Sequence, residues 1–158
     1  MQKKETKEKI IVATNRRARH NFQISDTAEA GISLYGPEVK SLRLKNISME
    51  QSFARAEKEE IFLYGLHIAP YAFNKCNPLD PLRVRKLLLK KKEIKKLSGL
   101  MTLKGTALIP LEIYFKNGWA KVLIGVAKGK KGPDKREDIK RKDTAREMQR
   151  DFKEKYKG

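Results

Sequence analysis

The sequence predicts a mainly β fold with flanking helices: a small antiparallel barrel followed by a basic C-terminal tail. Three observations carry that expectation. Short apolar, β-branched and aromatic runs follow one another with turn residues between them, without the long alternating helices of a parallel sheet. Two of these runs, Thr106–Phe115 and Trp119–Ala127, are joined by Asn117-Gly118, which favours the positive φ angles of a two-residue hairpin turn. The last fifth of the chain, Ala127–Gly158, holds 13 Lys/Arg against 7 Asp/Glu and too few apolar residues to fold alone.

Taken in order, residues 1–9 read as a charged, mobile leader, 10–127 as the barrel and 128–158 as the tail. Ile10-Ile11-Val12 is a short first strand. Asn15-Arg16-Arg17-Ala18-Arg19-His20 follows as a basic cluster, and Ser25-Asp26-Thr27 as a turn. Ala28, Ala30, Ile32 and Leu34 alternate with Glu29, Gly31, Ser33 and Tyr35, the period of a half-buried strand that Gly36-Pro37 ends. Glu38–Leu44 reads as a short helix. Ser52–Glu57 and Ile61–Ile68 read as strands around the polar turn Lys58-Glu59-Glu60, and the proline-rich stretch Pro70–Pro81 as an irregular loop. Leu87-Leu88-Leu89 fits a short buried strand, followed by a helix with Ile94, Leu97 and Leu100 at spacing 3. Pro110 requires an edge or a bulge in its strand. Such a series is that of an OB-type barrel, which often presents loops and one face to nucleic acid.

The tail has the marks of a helix awaiting a surface. Pro133 precedes Asp134 and Glu137, a pair able to cap a helix start, and Ala145, Met148, Phe152 and Tyr156 form one narrow stripe. A solvated charge run or plain disorder accounts for the composition equally well. We expect a segment that is disordered when free and helical on a polyanion.

Charge narrows the function classes. The 158 residues carry 37 Lys/Arg and 19 Asp/Glu, a formal charge of +18. Subtracting the tail's surplus of 6 leaves +12 on residues 1–126, so the body itself is basic. A field of that sign attracts nucleic acid or an anionic membrane. No apolar run approaches the roughly 20 residues that span a bilayer, and MQKKETKEK lacks the apolar core of a secretory signal. A single cysteine, Cys76, fits a reducing compartment, so the expected location is cytoplasmic.

Enzyme signatures are missing. His20 and His67 stand far apart in sequence and share no metal-ligand spacing; His67, in an apolar run, reads as packed. Gly125–Lys131 resembles a phosphate-binding loop but has three residues between its glycines instead of four, and Lys131 where Ser or Thr would hold magnesium. Its flexible backbone and lysines suit phosphate contacts along a nucleic-acid strand. What recurs is basic clusters beside aromatics: Arg16–His20 before Phe22, Arg83–Lys96 after Tyr71 and Phe73, and Lys121–Lys131 after Tyr114, Phe115 and Trp119. Most of those aromatics are expected in the core, and the cations at the surface.

Six stretches, in order and with compatible spacing, resemble a known family. They are Asn15–His20, Glu29-Ala30-Gly31, Glu38–Arg43, Asp80–Arg83, Arg85–Leu89, and Gly129-Lys130-Lys131 with Asp134-Lys135-Arg136. The chain is similar, from about Ile10 to its end, to the small protein B family, the bacterial SsrA-binding proteins. The resemblance implies an OB-like barrel and an RNA-binding adaptor with no cofactor and no catalytic role. Its partners would be transfer-messenger RNA and the ribosome, through small-subunit rRNA, the decoding site and the mRNA channel. One copy would bind each RNA, away from any membrane, and the pair would rescue ribosomes stalled on messages lacking a usable stop codon. By family match Glu29, Leu88 and Lys90 belong to the surface on the tRNA-like domain, with Asn15, Arg16, Arg17, Arg19, His20 and Lys121 beside them. On residue type alone Leu88 reads equally well as core, and Glu29 either bonds a base edge or orients an arginine. Lys128, Lys130, Lys131, Lys135 and Arg136 would contact ribosomal RNA, with Asp134 capping the tail helix.

Three positions depart from the family pattern. Lys90 replaces a common His or Asn and favours a phosphate over a base contact. Pro133 stands where many members carry an aromatic or His able to stack, and Thr144 replaces a tail aromatic. The competing readings are a general ribosomal or RNA-chaperone protein and, in contrast, a nucleotide-dependent RNA-modifying enzyme.

Overall fold

A computed structural model describes residues 8–155, with the side chains of 132–135 and 155 outside that description. The strands are β1 (Lys9–Thr14), β2 (Phe22–Ile32), β3 (Ile47–Ser48), β4 (Phe53–Glu57), β5 (Glu60–Tyr64), β6 (His67–Ile68), β7 (Arg85–Leu88), β8 (Thr106–Lys116) and β9 (Trp119–Gly129). Four helices join them: α1 (Arg16–Asn21), α2 (Gly36–Arg43), α3 (Lys91–Met101) and α4 (Gly132–Lys155). Every strand pairing is antiparallel. The main sheet runs β1-β8-β4-β5-β7-β2-β9, and because β8 also pairs with β9 it closes into a barrel with β1 attached outside the ring. β3 and β6 form a separate two-stranded sheet.

Alternation along the strands sorts side chains into the barrel or onto its surface. Ala30, Ile32, Ala54, Ile61, Leu63, Leu87, Leu108, Ile113, Val122, Ile124 and Val126 fill the interior, joined by Leu42 of α2 and Leu97 of α3. At Asn117 (φ 53°) and Gly118 (φ 77°) the chain takes the left-handed conformation expected of the hairpin turn.

Several local expectations give way to long-range pairing. Ser25-Asp26-Thr27 is no turn but lies inside β2, where a bulge between Ile24 and Asp26 absorbs the polar residues while pairing with β9 continues. Ile61–Ile68 is two strands: Gly65 (φ 67°) breaks the run, and β6 turns His67 outward and Ile68 inward. His67 is therefore exposed, not packed. Pro110 is buried in a strand flanked by β1, β4 and β9, and it is the bulge between Pro110 and Glu112 that accommodates it. Trp119, expected among the core aromatics, is 73% exposed at the hairpin tip, whereas Tyr114 and Phe115 are buried. The last barrel strand continues to Gly129, opposite Phe22, so Lys128 belongs to β9 and not to the tail.

Beneath the outer surface lies one buried ionic network. Glu38 accepts from Arg83 Nη2 (2.6 Å) and Arg85 Nε (2.9 Å), and its second oxygen also takes the Tyr35 backbone N–H. Arg85, fully buried, donates further to the carbonyls of Leu66 and Pro81. These bonds tie α2 and the end of the 70–81 loop to β7.

Candidate nucleic-acid interface

On the outer face of β2, Glu29 lies opposite Leu123 of β9, and Gly31 lies between Lys121 of β9 and Leu88 of β7. The third strand places Glu112 opposite Leu123 and Tyr114 opposite Lys121. Leu88, which the sequence left equally open to the core, is 54% exposed, while its neighbour Leu87 points inward. Gly31 permits the arrangement, because a Cβ there would stand 3.1 Å from the Leu88 Cβ. Glu29, Leu88, Lys90 and Lys121 thus converge on one open groove of ≈ 720 Å³, with Lys86 at its border. Lys90 is exposed just before α3, its backbone N–H given to Glu93 (2.9 Å).

Glu29 accepts from the Tyr114 hydroxyl (2.5 Å) and from Lys116 Nζ (3.0 Å). The Tyr114 bond, then Lys116 and Lys121, hold its carboxyl below the usual range against the opposing effect of burial. Burial and Glu29 push the Tyr114 hydroxyl up. Glu29 therefore stays anionic and orients a tyrosine and a lysine rather than an arginine, in a groove that Glu59, Glu60 and Glu93 line together with Lys86, Lys90, Lys91 and Lys121. A carboxylate with about four acceptor sites retains capacity for an outside donor.

At the other end of β2, α1 packs Ala18 against Ile109, Leu111 and Ala127. That single inward residue turns Arg16, Arg17 and Arg19 outward. Arg17 pairs with Glu50 and Arg19 with Glu112, each at 3.4 Å; such exposed pairs contribute little and leave the guanidiniums accessible. His20 is half-buried, with Nδ1 3.2 Å from Asn21 Oδ1. Asn15 differs from its neighbours in burial. It is 8% exposed, its Oδ1 accepts from Ala18 N, and its Nδ2 donates to the Pro110 and Met49 carbonyls. Asn15 thus positions α1 from within the fold.

Lys128, Lys131 and Arg136 are exposed near the same end; Lys130 donates its backbone N–H to Asn21 and pairs with Asp138 at the base of α4. The supposed flexible loop Gly125–Lys131 is largely strand: a Cβ on Gly125 would meet Leu111 Cδ1 at 2.8 Å, so this glycine serves packing, not phosphate binding. The expected roles of Asp134 and Lys135 fall on side chains outside the described residues, as does Tyr156 of the tail stripe. The segment expected to become helical on a surface stands as the helix α4, with Met148 and Phe152 exposed at 67% and 65%. Among the described residues, no cluster of His, Cys, Asp or Glu could hold a metal, and no helix is long and apolar enough to cross a membrane.

A model of the SmpB protein family matches residues 12–154 of this chain. The chain belongs to the SmpB family. The SsrA-binding protein of Elusimicrobium minutum is 52% identical over 148 residues, 94% of either chain. That of Bacillus subtilis is 49% identical over 148 residues (94% of this chain, 95% of that one), and that of Caldanaerobacter subterraneus subsp. tengcongensis 52% over 155 (98% of each). A solved structure described as "tmRNA-SmpB: a journey to the center of the bacterial ribosome" aligns with a TM-score of 0.66 at 51% identity, covering 76% of this chain and 85% of that one.

In this SmpB family member the groove and the α1 cluster lie at opposite ends of β2. Gly31 and Phe22 are separated by about 30 Å at ordinary strand rise. Arg19 reaches between them through Glu112. Sequence reasoning missed Tyr114, Lys116 and the exposed Trp119. Only the position of Trp119 directly after the Asn-Gly turn hinted at exposure, because hairpin tips leave the core.

Proposed function

We propose that this SmpB family member is an RNA-binding adaptor of trans-translation. It binds the tRNA-like domain of transfer-messenger RNA, delivers it to stalled ribosomes and enables peptide tagging, while its tail probes the empty mRNA channel. The observation that carries the reading is the groove in which Glu29, Leu88, Lys90 and Lys121 converge on a strongly basic barrel. An exposed leucine between lysines suits a backbone-contacted RNA loop with an apolar patch, since phosphates take the cations and a sugar or base edge takes the leucine. Within this reading Arg16, Arg17, Arg19 and His20 extend the guest-RNA surface. Lys128, Lys130, Lys131, Lys135 and Arg136 meet ribosomal RNA, and Asp134 caps the tail helix. The protein works in the cytoplasm as a monomer, one copy per RNA, without cofactor or catalytic chemistry.

Leu88→Asp and Lys121→Glu change exposed or half-exposed side chains, so the fold should persist. Each is expected to weaken binding to a tRNA-like-domain transcript at least tenfold, about 1.4 kcal/mol. Wild-type binding should survive excess bulk tRNA and fall with salt as several phosphate contacts require. Equal affinity for any structured RNA, unchanged by both substitutions, would favour the general RNA-chaperone reading instead.

A further inference from the structure

β4 and β5 carry an aromatic surface that lies outside the groove. Their register sets Phe53 opposite Tyr64, Arg55 opposite Phe62 and Glu57 opposite Glu60, while Ala54, Ile61 and Leu63 between them fill the core. The outward residues form one strip on the barrel surface. In it the Phe53 and Tyr64 rings are stacked, 5.4 Å between centroids and 10° from parallel. Phe53 is 41% exposed, and Phe62 and Tyr64 are half-buried. The Tyr64 hydroxyl donates to Glu57 (2.5 Å), which fixes the ring in place.

Cations border the strip on both sides. Arg55 lies within it, and Lys86 of β7 stands opposite Phe62. Toward β8, Ala54 pairs with Leu108, which sets Phe53 beside Ile109, the residue on which Ala18 of α1 packs. α1 is tied to this side through Asn15 and Met49, and Arg17 pairs with Glu50 just ahead of β4. The acids here are engaged: Glu57 by Tyr64, Glu60 by Lys86 and Glu50 by Arg17.

We propose that the Phe53–Tyr64 pair is a stacking platform for an unpaired nucleobase of single-stranded RNA, with Arg55 taking a flanking phosphate. Flat rings fixed by a hydrogen bond offer a base its π-face at low entropic cost, and Arg55 in the same strip supplies a cation for a phosphate. The outer strands of OB-type barrels serve oligonucleotides in this way. Phe53 and Tyr64 do not line the guest-RNA groove, which reaches β5 only at Glu60.

The test uses the full chain, an eight-nucleotide oligouridylate, and an abasic strand of equal length and charge. Wild type is expected to bind the base-bearing strand roughly 5- to 150-fold more tightly than the abasic one, the range of one stacked base. Phe53→Leu, which keeps an apolar cross-strand contact, should remove that preference without altering abasic binding, and Phe53→Tyr should restore it. The same leucine variant should bind a tRNA-like-domain transcript within about twofold of wild type, which separates this site from the groove disabled by Leu88→Asp. The proposal is overturned if wild type shows no preference for bases, if Phe53→Leu keeps the preference, or if that variant loses the tRNA-like domain as Leu88→Asp does.

Discussion

A chain ending at Lys131 is expected to keep its affinity for the tRNA-like domain and to lose peptide tagging on stalled ribosomes. The groove residues Glu29, Leu88, Lys90 and Lys121 all lie in the barrel, and residues 1–126 carry +12 of the charge. The Lys130–Asp138 ion pair holds the base of α4, which lies against α1, and neither core cluster includes a residue of α4. What truncation removes is a helix that exposes its cations along with Met148 and Phe152, built to meet a surface rather than to complete a core. Binding to a tRNA-like-domain transcript and tagging in a translation system stalled on a stopless message are the two readouts. Loss of RNA binding together with tagging would show that body and tail do not divide the work as proposed.

Glu38→Ala is expected to be the most damaging single substitution for the fold. It leaves Arg85, fully buried, without its counter-charge, and removing one partner of a buried pair costs about 3–5 kcal/mol. For a chain of this size that lowers the melting temperature by roughly 6–20 °C. Replacing both members, with Glu38→Gln and Arg85→Met together, should cost less than Glu38→Ala alone, because no uncompensated buried charge remains. A pH series gives a second signature. Burial alone would push the Glu38 carboxyl up, but hydrogen bonds from Arg83 and the Tyr35 N–H and the charge of Arg85 outweigh it, so its folded pKa lies below the ordinary value. Its contribution to stability is therefore present above the unfolded value of about 4.3 and lost as pH falls through the depressed folded value. The melting temperature of Glu38→Ala should lack that component of the acid dependence. A wild-type-like melt would show that the network does not hold α2 and the loop to β7.

What was legible in the sequence is what short-range chemistry dictates. The Asn117-Gly118 turn followed from the φ angles those two residues tolerate, β8 and β9 from their apolar, aromatic and β-branched composition, and α3 from three-residue spacing. The division into a basic body and a basic tail followed from counting charges. Several residues that share the groove were named together through resemblance to a family and not through local pattern. Residue type left Leu88 divided between core and surface, and only its register opposite Gly31 decided for the surface.

What strand order decided could not be read locally. Glu29 meets Tyr114 across 85 residues, and Glu38 meets Arg85 across 47. Asn15 looks like one more polar residue in a basic cluster until folding buries it against Pro110 and Met49. The polar run Ser25–Thr27 reads as a turn by composition, yet pairing with β9 outweighs that preference and bends it into a bulge. The same holds for the aromatics. Alternation announces that Phe53, Tyr64 and Trp119 sit at strand spacing, but which face becomes the outside depends on how the barrel closes. The sequence by itself thus determined the charge, the β8–β9 hairpin and the helix α3, all set within a few residues. Tertiary structure alone decided which side chains share a surface, because each such pair joins strands distant in the chain.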